Sequence, residues 1–208
     1  MLILASASPR RQELLRNAGI PFKVQPAGID EVPVAGESAQ EFAERLSRQK
    51  ALAVFQNYPL GFVLGADTIV VLDDLILGKP RDAKDASRML RLLSGRTHSV
   101  ITGVSLVGSI AHGAEQSTSN REIKTASVRT NVTMCEISDE EIRDYVATGE
   151  PMDKAGAYAI QGIASRWIPH IEGDYSNVVG LPVALVYRML CERGLVSALG
   201  TLTRNTEI

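Results

Sequence analysis

Residues 63–72 read Val-Leu-Gly-Ala-Asp-Thr-Ile-Val-Val-Leu, and no other segment constrains the fold of this chain as strongly. An apolar run of this length predicts a buried β-strand. Asp73-Asp74 and the following residues 75–78 predict a tight hairpin returning from it. One carboxylate, Asp67, sits inside the strand. A buried carboxylate is costly unless it meets a cation or a metal ion, so Asp67 is the strongest single candidate for a general base or a metal partner. The competing reading is a plain salt bridge to a neighbouring strand.

The surrounding pattern alternates strands and helices. Residues 2–5 predict a short buried strand, followed by a helix with Ser8 as N-cap, Pro9 in its first turn, Leu14, Leu15 and Ala18 facing inward, and Gly19 as its stop. A second strand over 22–25 leads to a polar loop holding Asp30 and Glu31. Ser38 with Glu41 forms a capping box opening a helix to about Phe55, with Phe42, Ala43, Leu46, Ala53 and Val54 on its apolar side. A helix over 83–93, a strand over 98–107, a polar hairpin loop over 108–120 and β-like residues 122–136 follow. Ser138 with Glu141 is a second capping box for a helix that stops at Gly149. Loops over 156–162 and 173–180 bracket a β-like stretch at 167–171, and residues 181–193 form the last helix. Helices mixed with hairpins predict an α/β fold with a mixed β-sheet. The length of 208 residues fits one domain, or two small lobes sharing a core, with a mobile tail from about residue 196.

Net charge excludes some functions. At −2 formal charge, with 5% aromatic residues, the chain offers neither a basic track nor a stacking platform for nucleic acid. Any polyanion must therefore be gripped locally. The N-terminus is too soon interrupted by Ser6, Ser8 and Pro9 for a signal peptide, and no apolar run reaches membrane-spanning length, so a cytoplasmic location is expected. Cys135 and Cys191 lie in apolar settings without metal-binding spacing and are expected to be buried reduced thiols.

Four further features suggest chemistry. Ser8-Pro9-Arg10-Arg11 places two cations at a helix N-terminus, where the dipole opposes them and an anion such as phosphate would relieve the conflict. A solvated surface helix explains them equally well. Lys50 falls on the apolar side of its helix, where a lysine snorkels to water or meets a buried partner. Lys79, in Gly78-Lys79-Pro80, is returned by the hairpin toward the end of the sheet that holds Asp67. Gln161, between Ile160 and Gly162, offers an amide able to read a base edge, and the polar cluster Glu150-Pro151-Met152-Asp153-Lys154 precedes it. No Walker loop, Rossmann fingerprint or zinc motif is present.

Taken together, these segments resemble the Maf family of nucleoside triphosphate pyrophosphatases, once described as septum-formation inhibitors. Ser6-Ala7-Ser8-Pro9-Arg10-Arg11, Asp30-Glu31, Lys50-Ala51, Gly65-Ala66-Asp67-Thr68, Gly78-Lys79-Pro80, residues 150–156, Gln161-Gly162 and Ser176-Asn177-Val178-Val179-Gly180-Leu181-Pro182 carry the likeness over nearly the whole chain. The resemblance implies an elongated mixed sheet with two lobes and a central cleft, like that of inosine triphosphate pyrophosphatases. It also implies Mg²⁺- or Mn²⁺-dependent attack on the α-phosphate, and a homodimer. Carried onto this sequence, Asp67 would activate water, with Glu31 and Asp67 at the metal and Lys79 at the reacting phosphates. Ser8, Arg10, Arg11, Lys50 and Gln161 would bind the nucleotide. Ser-Pro-Arg-Arg and the Ala-Tyr-Ala-Ile-Gln-Gly segment of residues 157–162 resemble members preferring dTTP and UTP. The alternatives are a pyrophosphatase for 7-methylguanosine triphosphate or modified pyrimidines, and a nucleotide-binding regulator of cell division.

Overall fold

A computed structural model describes residues 1–110 and 120–196. The tail expected to be mobile and the centre of the expected 108–120 loop fall outside the described residues. The strands are β1 (Leu2–Leu4), β2 (Lys23–Val24), β3 (Phe62–Leu72), β4 (Leu75–Leu77), β5 (Thr97–Ile110), β6 (Asn120–Thr133) and β7 (His170–Glu172). The α-helices are α1 (Pro9–Asn17), α2 (Ala39–Phe55), α3 (Ala83–Leu93), α4 (Asp139–Ala147), α5 (Tyr175–Val179) and α6 (Val183–Cys191).

The seven strands form one mixed sheet in the order β2-β1-β3-β5-β6-β7, with β4 paired to β3. β1 runs parallel to both β2 and β3, which requires a crossover on each side, supplied by α1 and α2. β3 meets β4 antiparallel with Leu72 opposite Leu75, so Asp73-Asp74 is the turn, and Asp73 has φ +53° as such a turn requires. The α/β class with a mixed sheet is thus observed.

The chain divides into two compact units, and β3, β5 and β6 contribute residues to both. The first unit comprises the described residues of 1–67, 103–127 and 180–208. Its core includes Ile3, Ala5, Ala51, Val54, Phe55, Val63 and Val107. Two glycines bring α2 down onto the sheet. A Cβ on Gly65 would stand 2.1 Å from the Ser47 carbonyl oxygen, and one on Gly103 would stand 2.3 Å from that of Ala43, so only glycine permits this approach. Two buried hydroxyls bridge the contact, with Ser47 Oγ 2.8 Å from Ser105 Oγ, which is in turn 2.8 Å from Oγ1 of the half-buried Thr125. The capping box at Ser38 and Glu41 is present, and it fixes where α2 begins.

The second unit holds residues 68–102 and 128–179. There α3 packs against α4 and against the 3₁₀ turn Ala155–Ala157. The Ser138–Glu141 capping box starts α4 as expected. Asn177 anchors α5, its Nδ2 donating to the Val100 carbonyl and to Thr130 Oγ1, each at 3.0 Å.

Several expectations need correction. Trp167 ends a 3₁₀ turn (Ile163–Trp167) instead of opening a strand, because its ring packs on Tyr145 and its indole N–H donates to Glu141. The expected 173–180 loop contains α5, whose start is organised by the Asp174 carboxylate accepting from Ser176 and Asn177. Ala18 is exposed, leaving Leu15 as the buried anchor of α1. Both cysteines, expected to be buried, are exposed; for Cys191 the reason is that α6 turns Met189 and Leu190 inward and Cys191 outward.

Candidate active site

In the first unit Lys50, Arg11 and Glu31 gather around Asp67. β1 ends in a buried apolar strand, and Ser6 and Ser8 then redirect the chain into α1. Ser8 caps α1 by accepting the Arg11 amide at 3.4 Å, so its hydroxyl is one fixed polar group at that helix start. The first turn of α1 itself holds no acidic residue, and the dipole there opposes the two cations Arg10 and Arg11. Arg10 is half-buried there.

Arg11 reaches inward. Its Nη1 donates to the Ala66 carbonyl at 2.8 Å and to Ser6 Oγ at 3.2 Å, while Nε donates to the Gly180 carbonyl at 2.8 Å. Burial draws the guanidinium below its ordinary value, and Asp67 opposes that shift. An arginine remains charged throughout, so Arg11 supplies a permanent cation bonded to the residue before Asp67. Ser6 was not picked out from the sequence as a site residue. Its cue is a polar residue that stays buried immediately after an apolar strand.

Lys50 comes from α2, between Ser47 and Ala51, the two residues through which Gly65 seats the helix on the sheet. Its Nζ lies 2.6 Å from Asp67 Oδ1 and 2.6 Å from Glu31 Oε1. The Lys50 side chain is 11% exposed and that of Asp67 only 8% exposed. Lys50 therefore meets partners instead of snorkelling freely to water. Asp67 pairs with a helix lysine, not with a residue of a neighbouring strand. Glu31, from an exposed loop, is drawn into the same cluster.

Burial raises the Asp67 pKa above the ordinary carboxylate value, although Lys50 and Arg11 both pull it down; Glu31 adds a smaller push upward. A carboxylate with increased proton affinity is a better acceptor of a proton from water than an exposed aspartate. Among the described residues no group of three or more His, Cys, Asp or Glu side chains could hold a metal ion. Glu31 and Asp67 do converge on a single cation, the Lys50 ammonium. Two carboxylates suit Mg²⁺, which commonly takes one or two protein oxygens and completes its shell with water and substrate phosphate.

Lys79 and Gln161 belong to the second unit. Lys79 is exposed just beyond the last paired residue of β4, beside Gly78, whose carbonyl accepts the Gly156 amide at 3.1 Å. Gln161 is exposed on a turn closed by the Gly162 amide donating to the Ala159 carbonyl at 3.1 Å. Glu31, Lys50, Asp67 and Arg11 are thus brought together within one unit, and Lys79 and Gln161 lie on the surface of the other.

An open mixed sheet carrying a buried acid, with a lysine bonded to that acid and an arginine bonded to the residue before it, defines an α/β protein with a charged cluster at its sheet. The model of the Maf family, described as Maf-like protein, matches residues 1–193. The chain is 57% identical over 195 residues to a dTTP/UTP pyrophosphatase of Koribacter versatilis, covering 94% of this chain and 95% of the relative. It is 52% identical over 193 residues to one of Symbiobacterium thermophilum, covering 93% and 94% of the two chains. A third, from Geobacter sp., is 50% identical over 199 residues, with 96% and 97% covered. The chain belongs to the Maf family.

Proposed function

We propose that this protein hydrolyses nucleoside triphosphates, with dTTP and UTP preferred, to the nucleoside monophosphate and pyrophosphate. The relatives named dTTP/UTP pyrophosphatase support the substrate class. The single observation that carries the chemistry is Asp67, a buried carboxylate with raised proton affinity held by Lys50 at 2.6 Å. Asp67 accepts a proton from water as its oxygen attacks the α-phosphorus, and the bond to the β-phosphate bridging oxygen breaks to release pyrophosphate.

Negative charge on the triphosphate is the main obstacle to such an attack, so fixed cations supply most of the help. In this reading Arg10 and the Ser8-capped start of α1 receive phosphate oxygens, and Lys50 and Lys79 neutralise charge. Arg11, whose nitrogens already donate to Ala66, Ser6 and Gly180, contributes its field and holds the strand that bears Asp67. Glu31 and Asp67 would hold Mg²⁺ or Mn²⁺, which when bound supplies further charge neutralisation and acidifies water. Gln161 reads the pyrimidine through its amide.

A cytoplasmic homodimer belongs to the same proposal and rests on the family likeness; among the described residues no helix is long and apolar enough to cross a membrane. The test is a panel of dTTP, UTP, 7-methylguanosine triphosphate and the purine triphosphates, each with Mg²⁺, with Mn²⁺ and with chelator. Release of pyrophosphate from dTTP and UTP, dependent on metal, is expected. Turnover of 7-methylguanosine triphosphate in preference to dTTP would overturn the substrate assignment, and undiminished turnover in chelator would overturn the metal.

A further inference from the structure

We propose that Glu150 is a positioning residue for substrate selection, which fixes the turn carrying Gln161. The inference rests on the reading of Gln161 as the residue that meets the base.

The turn is pinned on both sides of Gln161. On one side, the Ala159 amide donates to the Tyr145 hydroxyl at 3.2 Å. On the other, the Ile163 amide donates to the Glu150 carboxylate, 3.2 Å from Oε1 and 3.4 Å from Oε2. Tyr145 then donates its hydroxyl to Glu150 Oε1 at 2.8 Å, so one carboxylate closes the loop between the two anchor points. Between them, a Cβ on Gly162 would stand 2.2 Å from Glu150 Oε1, which shows how closely the carboxylate lies on the backbone beside Gln161.

The anchor itself cannot swing. Tyr145 is 1% exposed and meets the Trp167 ring edge-on at 5.3 Å. The backbone carbonyl of Glu150 accepts from Lys154 Nζ at 2.6 Å, and Tyr158, at the start of the turn, is held by His98 at 2.8 Å. The Tyr145 hydroxyl and the Ile163 amide both present hydrogens to the carboxylate, and a carboxylate can only accept. Gln161 by contrast is exposed. An exposed amide discriminates between bases only if its backbone is already fixed, since otherwise binding must supply the cost of ordering it.

Glu150→Ala releases the Ile163 amide and the Tyr145 hydroxyl together. It should raise KM for dTTP by about tenfold while kcat falls by less than about threefold, and it should narrow the preference for dTTP over GTP by about tenfold, the loss expected for a few newly mobile torsions. Inhibition by inorganic tripolyphosphate, which has no base, should be unchanged. Glu150→Gln retains an acceptor oxygen and should recover most of the preference. Tyr145→Phe removes only the hydroxyl bridging Ala159 and Glu150, and should reproduce the loss of preference even if Glu150→Ala does not fold. Equal weakening of dTTP, GTP and tripolyphosphate would overturn the inference, as would an unchanged preference in both Glu150→Ala and Tyr145→Phe. Gln161→Ala separates the two levels: if it leaves the preference intact, the reading of Gln161 fails; if it abolishes the preference while the Glu150 and Tyr145 variants do not, Glu150 alone is misassigned.

Discussion

Replacing Lys50 with methionine removes the cation that lies 2.6 Å from the Asp67 carboxylate while keeping most of the side-chain volume. Two unit charges about 4 Å apart attract by about 4 kcal/mol at an effective dielectric constant near 20, and breaking a buried pair by removing one member typically costs about 3–5 kcal/mol. Arg11 remains to offset part of the isolated charge, so the expected loss for Lys50→Met is toward the lower end, about 3 kcal/mol at about pH 8. Asp67 can escape by taking up a proton, and the loss should therefore shrink as the medium is made acid. Asp67→Asn behaves differently. In the wild type the folded-state pKa of Asp67 is raised by burial, so the folded protein holds that proton more tightly than the unfolded chain, and ionisation of Asp67 opposes folding as the pH rises above the ordinary carboxylate value. Asparagine removes that cost, and Asp67→Asn should be as stable as the wild type or more so at neutral pH. The double variant Lys50→Met/Asp67→Asn should be less damaged than Lys50→Met alone, giving a coupling of about 2–3 kcal/mol. Urea denaturation of the four proteins at about pH 8 and about pH 5 measures this. If Lys50→Met costs the same whether residue 67 is Asp or Asn, at both pH values, the pair is not what holds this site.

Gly65→Ala drives a methyl group into the Ser47 carbonyl at 2.1 Å and the Ala51 amide at 2.8 Å, so α2 must lift from β3. A loss of about 1–3 kcal/mol, as for overpacked cores, is expected in thermal melts, with a larger fall in dTTP turnover because Lys50 moves with the helix. His98 is buried against Tyr158, and burial pulls its pKa down to about 4 from 6.5. The unfolded chain then binds more protons between those values, so stability present above pH 6.5 should decline as the pH falls toward about 4. His98→Gln should flatten that part of the urea-midpoint profile, and a slope unchanged by the substitution would show that another group is responsible.

What could be read before folding was local. The hairpin at Asp73-Asp74 follows from two runs of β-forming residues meeting at a turn pair, and both capping boxes follow from a serine three residues before a glutamate. Asp67 was legible because a lone carboxylate in an apolar strand violates the burial rule. Its partners were less so. Arg11 bonds to carbonyls 55 and 169 residues away, and nothing near Arg11 in the sequence announces that its donors are used within the protein. The exposure of Cys191 depends on which face of α6 the core takes, and its apolar neighbours Met189 and Leu190 gave a misleading cue. Glu150 was visible only as part of a polar cluster, because its role depends on Tyr145 and Ile163 meeting it from opposite sides of a turn.

In the proposed reaction Asp67 is the acceptor of the proton from water. Pyrophosphate release from dTTP with Mg²⁺, measured for the wild type and for Asp67→Asn, tests this directly. The expected result is a fall in kcat of about 10²–10⁴-fold, typical for the loss of a general base, in a variant that still folds and still binds dTTP. Equal rates would contradict the account and place the chemistry on another group.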